Sequence, residues 1–173
     1  DWESTGEIGS LLAARDAMTG ATLVGHGDVV TRRAVLDDLA RGDEPFTVVV
    51  DYQDKAVGNR KDRDLAHVSP PREDVVADLK QVSYSLQRID PGLSDDRVSG
   101  EWTGLLYCSD EGTKLMLDAI DALEAAGQAV KTWSVPQLLN HLVESGHTVR
   151  VQYIHGDWLD VDDILDLSDV YKF

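Results

Sequence analysis

Two acidic motifs in this sequence follow strand-like segments closely enough to hold a hard cation. In the first, Gly27-Asp28 comes just after the apolar run Ala21-Thr22-Leu23-Val24-Gly25. A glycine lets the backbone turn sharply, and the aspartate is then carried at the carboxyl end of a strand, the edge at which open α/β folds bind ligands. A plain polar turn accounts for the same residues. In the second, Trp158-Leu159-Asp160-Val161-Asp162-Asp163 follows a segment in which Val149, Val151 and Tyr153 alternate with polar residues. Mg²⁺ prefers oxygen ligands and uses one or two carboxylates together with substrate phosphates, which this stretch could supply. Helix capping explains it as well, because Asp160 or Asp162 at the start of a final acidic helix would complement its dipole. A calcium loop is excluded, since the central glycine and terminal glutamate are not at the required positions.

Glu101 and Trp102 form a further candidate. A carboxylate beside an indole face could hold a cationic amine or a hydroxyl group, and the same pair also reads as one exposed acid and one core aromatic on a strand. Arg60, Lys61 and Arg63 make a local positive cluster in an acidic chain and could reach an anionic substrate, or could simply be solvated. Cys108 lies in an apolar strand and reads as core rather than nucleophile. His26 is two residues from Asp28 and could support it or hydrogen-bond within its turn. His141, His147 and His155 have no ligand spacing with one another, and Trp133 and Tyr153 read as core.

These residues must be positioned by a chain of 173 residues, the size of one domain. Its hydrophobic fraction of 42% and charged fraction of 28% are those of a folded globular protein. The net charge of -16 argues against nucleic acid or an anionic membrane as partner, but leaves room for phosphorylated small molecules bridged by a divalent cation. A single cysteine excludes an internal disulfide and a thiolate zinc cluster. No apolar run is long enough for a membrane span, and Asp1-Trp2-Glu3 does not open a signal peptide. A cytoplasmic address is the simplest reading, and the missing initial methionine suggests a start inside a longer chain.

Ser4-Thr5-Gly6-Glu7 has capping-box spacing before Ile8, Leu11, Leu12 and Ala14, which predicts a helix over residues 7 to 18. Residues 21 to 25 read as a buried strand. Thr31 would cap a helix with the apolar stripe Val35, Leu36, Leu39, stopped by Gly42. Phe46 to Val50 is a continuous β-branched strand covered on both faces, and with the first strand it predicts a βαβ unit. Residues 52 to 64 form a polar loop, and Pro70-Pro71 marks a break. Val82, Tyr84, Leu86 and Ile89 give a period-two strand, and residues 102 to 108 another. Ser109 caps a long helix ending at Gly127, and Ser134-Val135-Pro136 opens one ending at Gly146. A strand over Val149 to Tyr153 and a short acidic helix close the chain. The expected class is α/β, with a mixed, mostly parallel sheet.

Taken in order, strand-Gly-Asp, helix, Val-Val-Val-Asp strand, Gly100-Glu101-Trp102-Thr103-Gly104 strand, helix, and strand-Gly-x-Trp-Leu-Asp resemble the nucleotidyltransferase superfamily that activates sugar phosphates, phosphocholine and phosphonates. Thr5-Gly6-Glu7-Ile8-Gly9-Ser10-Leu11, Gly100 to Gly104 and Trp158 to Asp162 are most similar to the phosphonate cytidylyltransferase domains found fused to phosphoenolpyruvate mutase. The resemblance runs across nearly the whole chain through short motifs. It implies a Rossmann-like three-layer fold in which Asp28 and Asp160 hold a catalytic Mg²⁺. It further implies transfer of CMP from CTP to a small phosphonate or phosphocholine-like acceptor, with Glu101, Trp102, Arg60 and Arg63 as substrate-binding candidates. These enzymes open with a glycine-rich, arginine-containing loop and a lysine that cradle the triphosphate, and this sequence contains neither. The expectation is therefore that residues 1–173 are the C-terminal part of one such domain. Two alternatives stand beside it. One is a non-catalytic domain of the same fold. The other is a metal-dependent glycosyltransferase, against which it counts that Asp28 lacks an Asp-x-Asp partner.

Overall fold

A computed structural model describes residues 5–52, 63–72 and 82–161. Helix α1 (Glu7–Ala13) is followed by a 3₁₀ turn at Arg15–Ala17 and strand β1 (Thr22–Gly25). Next come β2 (Val29–Thr31), α2 (Arg33–Leu39), β3 (Phe46–Asp51), β4 (Leu65–Ser69), β5 (Ser85–Ile89) and β6 (Gly100–Cys108). The described chain ends with α3 (Asp110–Ala125), α4 (Val135–Glu144), β7 (Val149–Ile154) and β8 (Trp158–Asp160).

Six strands form one sheet in the order β1-β6-β3-β7-β5-β4, and β2 and β8 form a separate two-stranded ribbon. β4 also pairs with β6, Leu65 opposite Glu101 and Ala66 opposite Gly100, so five of the strands make a closed ring of pairings. The sheet is mixed but not mostly parallel. Among the described strands, β3 and β7 pair in parallel, whereas the other pairings are antiparallel. The expected βαβ unit is present in altered form. β1 and β3 both run antiparallel to β6, which lies between them, so they are parallel to each other without touching.

Helices cover both faces. β3 is buried at every position: Phe46, Val48 and Val50 join Ile8, Met116, Ile120, Leu138 and Leu142 on one side, while Val49 joins Val35 and Leu39 of α2 on the other. The predicted caps at Ser109 and Ser134 are both present. Ser109 Oγ accepts from Gly112 N at 3.1 Å, and Ser134 and Gln137 form a reciprocal capping box.

Three local expectations are corrected. β1 is a half-exposed edge strand, with Leu23 50% exposed, because only β6 flanks it. Thr31 lies in β2 rather than capping α2, and its hydroxyl donates to Asp157 O at 3.0 Å. Glu7 does not complete a capping box on its own helix, where Gly6 is the N-cap. Its carboxylate accepts from Val135 N at 2.6 Å, at the first turn of α4. The predicted final helix, Asp162 and most of the 52–64 loop lie outside the described residues. No described helix is long and apolar enough to cross a membrane.

Candidate functional site

The ribbon of β2 and β8 is what brings the two acidic motifs together. Val29 lies opposite Asp160, Val30 opposite Leu159 and Thr31 opposite Trp158, and Val161 N donates to Asp28 O at 3.1 Å. Asp28 and Asp160 therefore sit on neighbouring backbone, and both are exposed. The chain reaches this ribbon from β7 through a tight reversal in which Gly156 and Asp157 adopt left-handed φ values of 71° and 64°. A non-glycine residue in that region is strained unless its surroundings hold it there. Here Asp157 O accepts from Arg32 N and from Thr31 Oγ1, both at 3.0 Å.

Asp51, the buried last residue of β3, anchors the same reversal. Its Oδ1 accepts from Gly156 N at 3.2 Å and its Oδ2 from Trp158 Nε1 at 2.9 Å. This positioning role was missed in the sequence, where Asp51 reads only as the end of a hydrophobic strand. The available signal was its acidic type, directly after five buried strand residues.

A second layer of ionisable groups surrounds the ribbon. Asp64 precedes β4, and its carbonyl accepts from Trp102 N at 2.8 Å. Burial pushes the Asp64 carboxyl up, the negative charges of Glu7, Glu101 and Asp160 push it further, and His26 opposes them. His26 sits in the turn between β1 and Asp28. Its Nε2 is 3.6 Å from Glu7 Oε1, an ion-pair distance longer than a hydrogen bond, and its ring meets the Trp102 ring edge-on at 5.2 Å. Glu7 raises the His26 pKa, and His26 in turn lowers that of Glu7. Gly104 makes this packing possible. Its φ is +78°, and a Cβ there would lie 2.9 Å from His26 Nδ1.

The remaining candidates fall as follows. Glu101 is held by Arg63, with Nη2 at 2.7 Å and Nε at 2.9 Å from Oε2, so those two candidates neutralise each other. Trp102 is 2% exposed and its Nε1 donates to Leu105 O, which makes the indole a core group behind His26. Arg60 and Lys61 lie outside the described residues. Cys108 is buried, and burial pushes its thiol up to about 12, as expected of a core thiol.

Among the described residues no group of three or more His, Cys, Asp or Glu side chains forms a ready-made metal cage. Asp160 at the end of β8 and Asp28 just before β2, with Asp64 raised by burial and by neighbouring negative charge, are carboxylates of the type that would hold Mg²⁺ together with water and substrate oxygens. Asp28 and Asp160 would be the ligands.

Neither any protein-family profile nor any curated protein sequence matches this chain. Its fold does match solved structures. Over 98% of its length it superposes on an inositol-1-phosphate CTP transferase from T. maritima, with TM-score 0.70 and 16% identity, spanning 61% of that chain. It is also similar to a glucose-1-phosphate thymidylyltransferase from Bacillus anthracis (TM-score 0.64, 13% identity, 97% of this chain and 61% of that one). A third match is a CTP:phosphocholine cytidylyltransferase from Streptococcus pneumoniae (TM-score 0.63, 14% identity, 99% of this chain and 64% of that one). The chain thus has the fold of these nucleotidyltransferases and spans about three-fifths of their length.

Proposed function

We propose that this chain is part of a Mg²⁺-dependent nucleotidyltransferase that moves CMP from CTP to a small phosphonate or phosphocholine-like acceptor, with release of pyrophosphate. The observation that supports the reading is the β2–β8 pairing, in which Asp160 lies opposite Val29 and Val161 bonds to Asp28, so the two aspartates come from neighbouring backbone. The shared fold with two cytidylyltransferases and a thymidylyltransferase supports nucleotidyl transfer in general. The phosphonate acceptor rests on the Gly100 to Gly104 and Trp158 to Asp162 motifs.

In this reaction an acceptor oxygen attacks the α-phosphorus of CTP in line, and pyrophosphate leaves. A phosphonate or phosphate oxygen is already ionised near neutral pH, so no side chain needs to remove a proton. Mg²⁺ bound by Asp28 and Asp160 would offset the charge that builds on the phosphate oxygens. The protein's own contribution is positioning and electrostatics. Asp51 fixes the turn that carries Asp160, and the His26–Glu7 pair packs behind Asp28. Arg63 keeps Glu101 neutralised, which lowers the repulsion that an incoming triphosphate meets.

The test is pyrophosphate release by the full-length protein from CTP and Mg²⁺ across a panel of phosphonate and phosphate acceptors. Release that Asp28→Ala and Asp160→Ala each abolish is the expected result. Nucleotide binding without release on any acceptor would instead favour a non-catalytic domain of the same fold.

A further inference from the structure

The turn that displays Asp28 is opened by His26 and is clamped there. His26 N donates to Gly104 O at 3.3 Å, and His26 O accepts from Val29 N at 3.5 Å, a bond that spans Gly27 and Asp28. The tip of the turn packs on little. Gly27 and Asp28 are exposed, and no described residue beyond its chain neighbours comes within 4 Å of a Cβ placed on Gly27. Val161 N bonds to the Asp28 carbonyl, and the rest of the hold comes from the His26 ring, set edge-on to buried Trp102 in the space that Gly104 leaves.

The ring is held in turn by Glu7. His26 Nε2 is buried and makes no hydrogen bond with the described residues, and Glu7 Oε1 lies 3.6 Å from it. A buried polar atom of this kind is costly unless something compensates it. Glu7 reaches it from a rigid mount. Gly6 N donates to Lys131 O at 2.8 Å and Ile8 N to Trp133 O at 3.1 Å, so the backbone on both sides of Glu7 is bonded to the run leading into α4. A Cβ on Gly6 would lie 2.6 Å from Thr132 O, and Ile8 is fully buried. Glu7 Oε2 accepts from Val135 N at 2.6 Å, one of the first α4 N–H groups, which have no partner within their own helix. With Oε2 committed there, Oε1 is set toward His26.

We propose that Glu7 is a positioning residue for the candidate cation site. It ties His26, and with it the turn from which Asp28 reaches the cation, to the first turn of α4. The proposal rests on the reading of Asp28 as a cation ligand. It adds that affinity for the cation depends on a residue of α1 that does not touch it.

The experiment titrates the full-length protein with Mn²⁺, following the free ion by electron paramagnetic resonance and locating the bound ion by broadening of the Val29 and Val161 amide resonances. Wild type should bind an ion that broadens both amides, and Asp28→Ala should abolish that binding. Glu7→Asp keeps the charge but is one methylene too short to span Val135 N and His26. It should weaken Mn²⁺ binding about tenfold, the low end for a residue that supports a metal ligand. The same variant in chelator should exchange its Val29 amide faster than wild type. Ser134→Ala removes the other cap of α4, so it should lower Tm and leave Mn²⁺ affinity unchanged. If wild type binds no Mn²⁺ at the ribbon, or Asp28→Ala binds it equally well, the cation reading and this proposal fall together. If wild type binds but Glu7→Asp matches it, while Glu7→Gln alone is weakened, charge rather than positioning is at work and only this proposal falls. Equal weakening by Ser134→Ala would likewise overturn it, because general loosening of α4 would then suffice.

Discussion

Replacing Asp51 by Asn tests how the site is held together. Asp51 is 4% exposed, and its two oxygens separately receive Gly156 N and Trp158 Nε1. Asn has nearly the same shape, but its amide nitrogen must point at one of these two donors, so one bond is lost and the other is no longer charge-assisted. Hydrogen bonds to a charged group contribute about 1.5–3 kcal/mol each. Removing a buried charge relieves part of its desolvation cost, which brings the expected net loss to about 2–4 kcal/mol. For a domain of this size each kcal/mol lowers Tm by about 2–4 °C, so a fall of about 5–15 °C is expected. Thermal unfolding in chelator measures it. Amide exchange locates it: Arg32 and Val161, which bond across the ribbon, should exchange faster relative to the β3–β7 amides. A Tm within about 2 °C of wild type, or acceleration spread evenly over the sheet, would refute the anchoring role of Asp51.

Other perturbations give separate readings. Gly104→Ala puts a Cβ against the His26 ring at a φ of +78°, and it should cost about 1–3 kcal/mol in urea unfolding; an unchanged midpoint would count against that packing. Burial and neighbouring carboxylates raise the Asp64 pKa, so the folded state loses stability as pH rises through it. Asp64→Asn should therefore be more stable than wild type in chelator at alkaline pH, the gap closing as pH falls toward the ordinary value of 3.8; a less stable variant at alkaline pH would contradict this. The His26–Glu7 pair has the opposite slopes of its two members. Stability from His26 is complete below 6.5 and fades as pH rises through its raised pKa, while that from Glu7 is complete above 4.5 and fades as pH falls through its lowered one. The pair should therefore contribute most between those values, and His26→Gln should flatten the stability profile on the alkaline side, which denaturation across pH would show.

Elements whose signal is local were legible in the sequence. The unbroken β-branched run of β3 and the Ser109 and Ser134 caps each fix a structure from neighbours a few residues away. What failed was pairing. The order of strands said nothing of β6 entering between β1 and β3, and that insertion turns an expected parallel sheet into one dominated by antiparallel contacts. β2 and β8, with three residues each, are too short to carry a pattern, and β4 (Leu65–Ser69) also went unread. At the candidate site, the two aspartate motifs are legible in the sequence but not what makes their backbones neighbours, since Asp51 works through distant hydrogen bonds. Glu101 and Arg63 were proposed as separate substrate contacts, and their mutual ion pair could not be seen in residues 38 positions apart.

The two-stranded ribbon also fixes when the proposed cation site can form. Its contacts join positions remote in sequence, Thr31 and Asp157 already being 126 residues apart, and it contains only three residue pairs. Closing so long a loop for so few contacts is unfavourable until the rest of the fold has already brought the ends close. The site is thus the last part to assemble, after β3 and β7 have presented Asp51 and the reversal at Gly156. During synthesis Asp28 leaves the ribosome well before β8, so a polypeptide cut short of Trp158 keeps the Gly-Asp turn without the strand it pairs with.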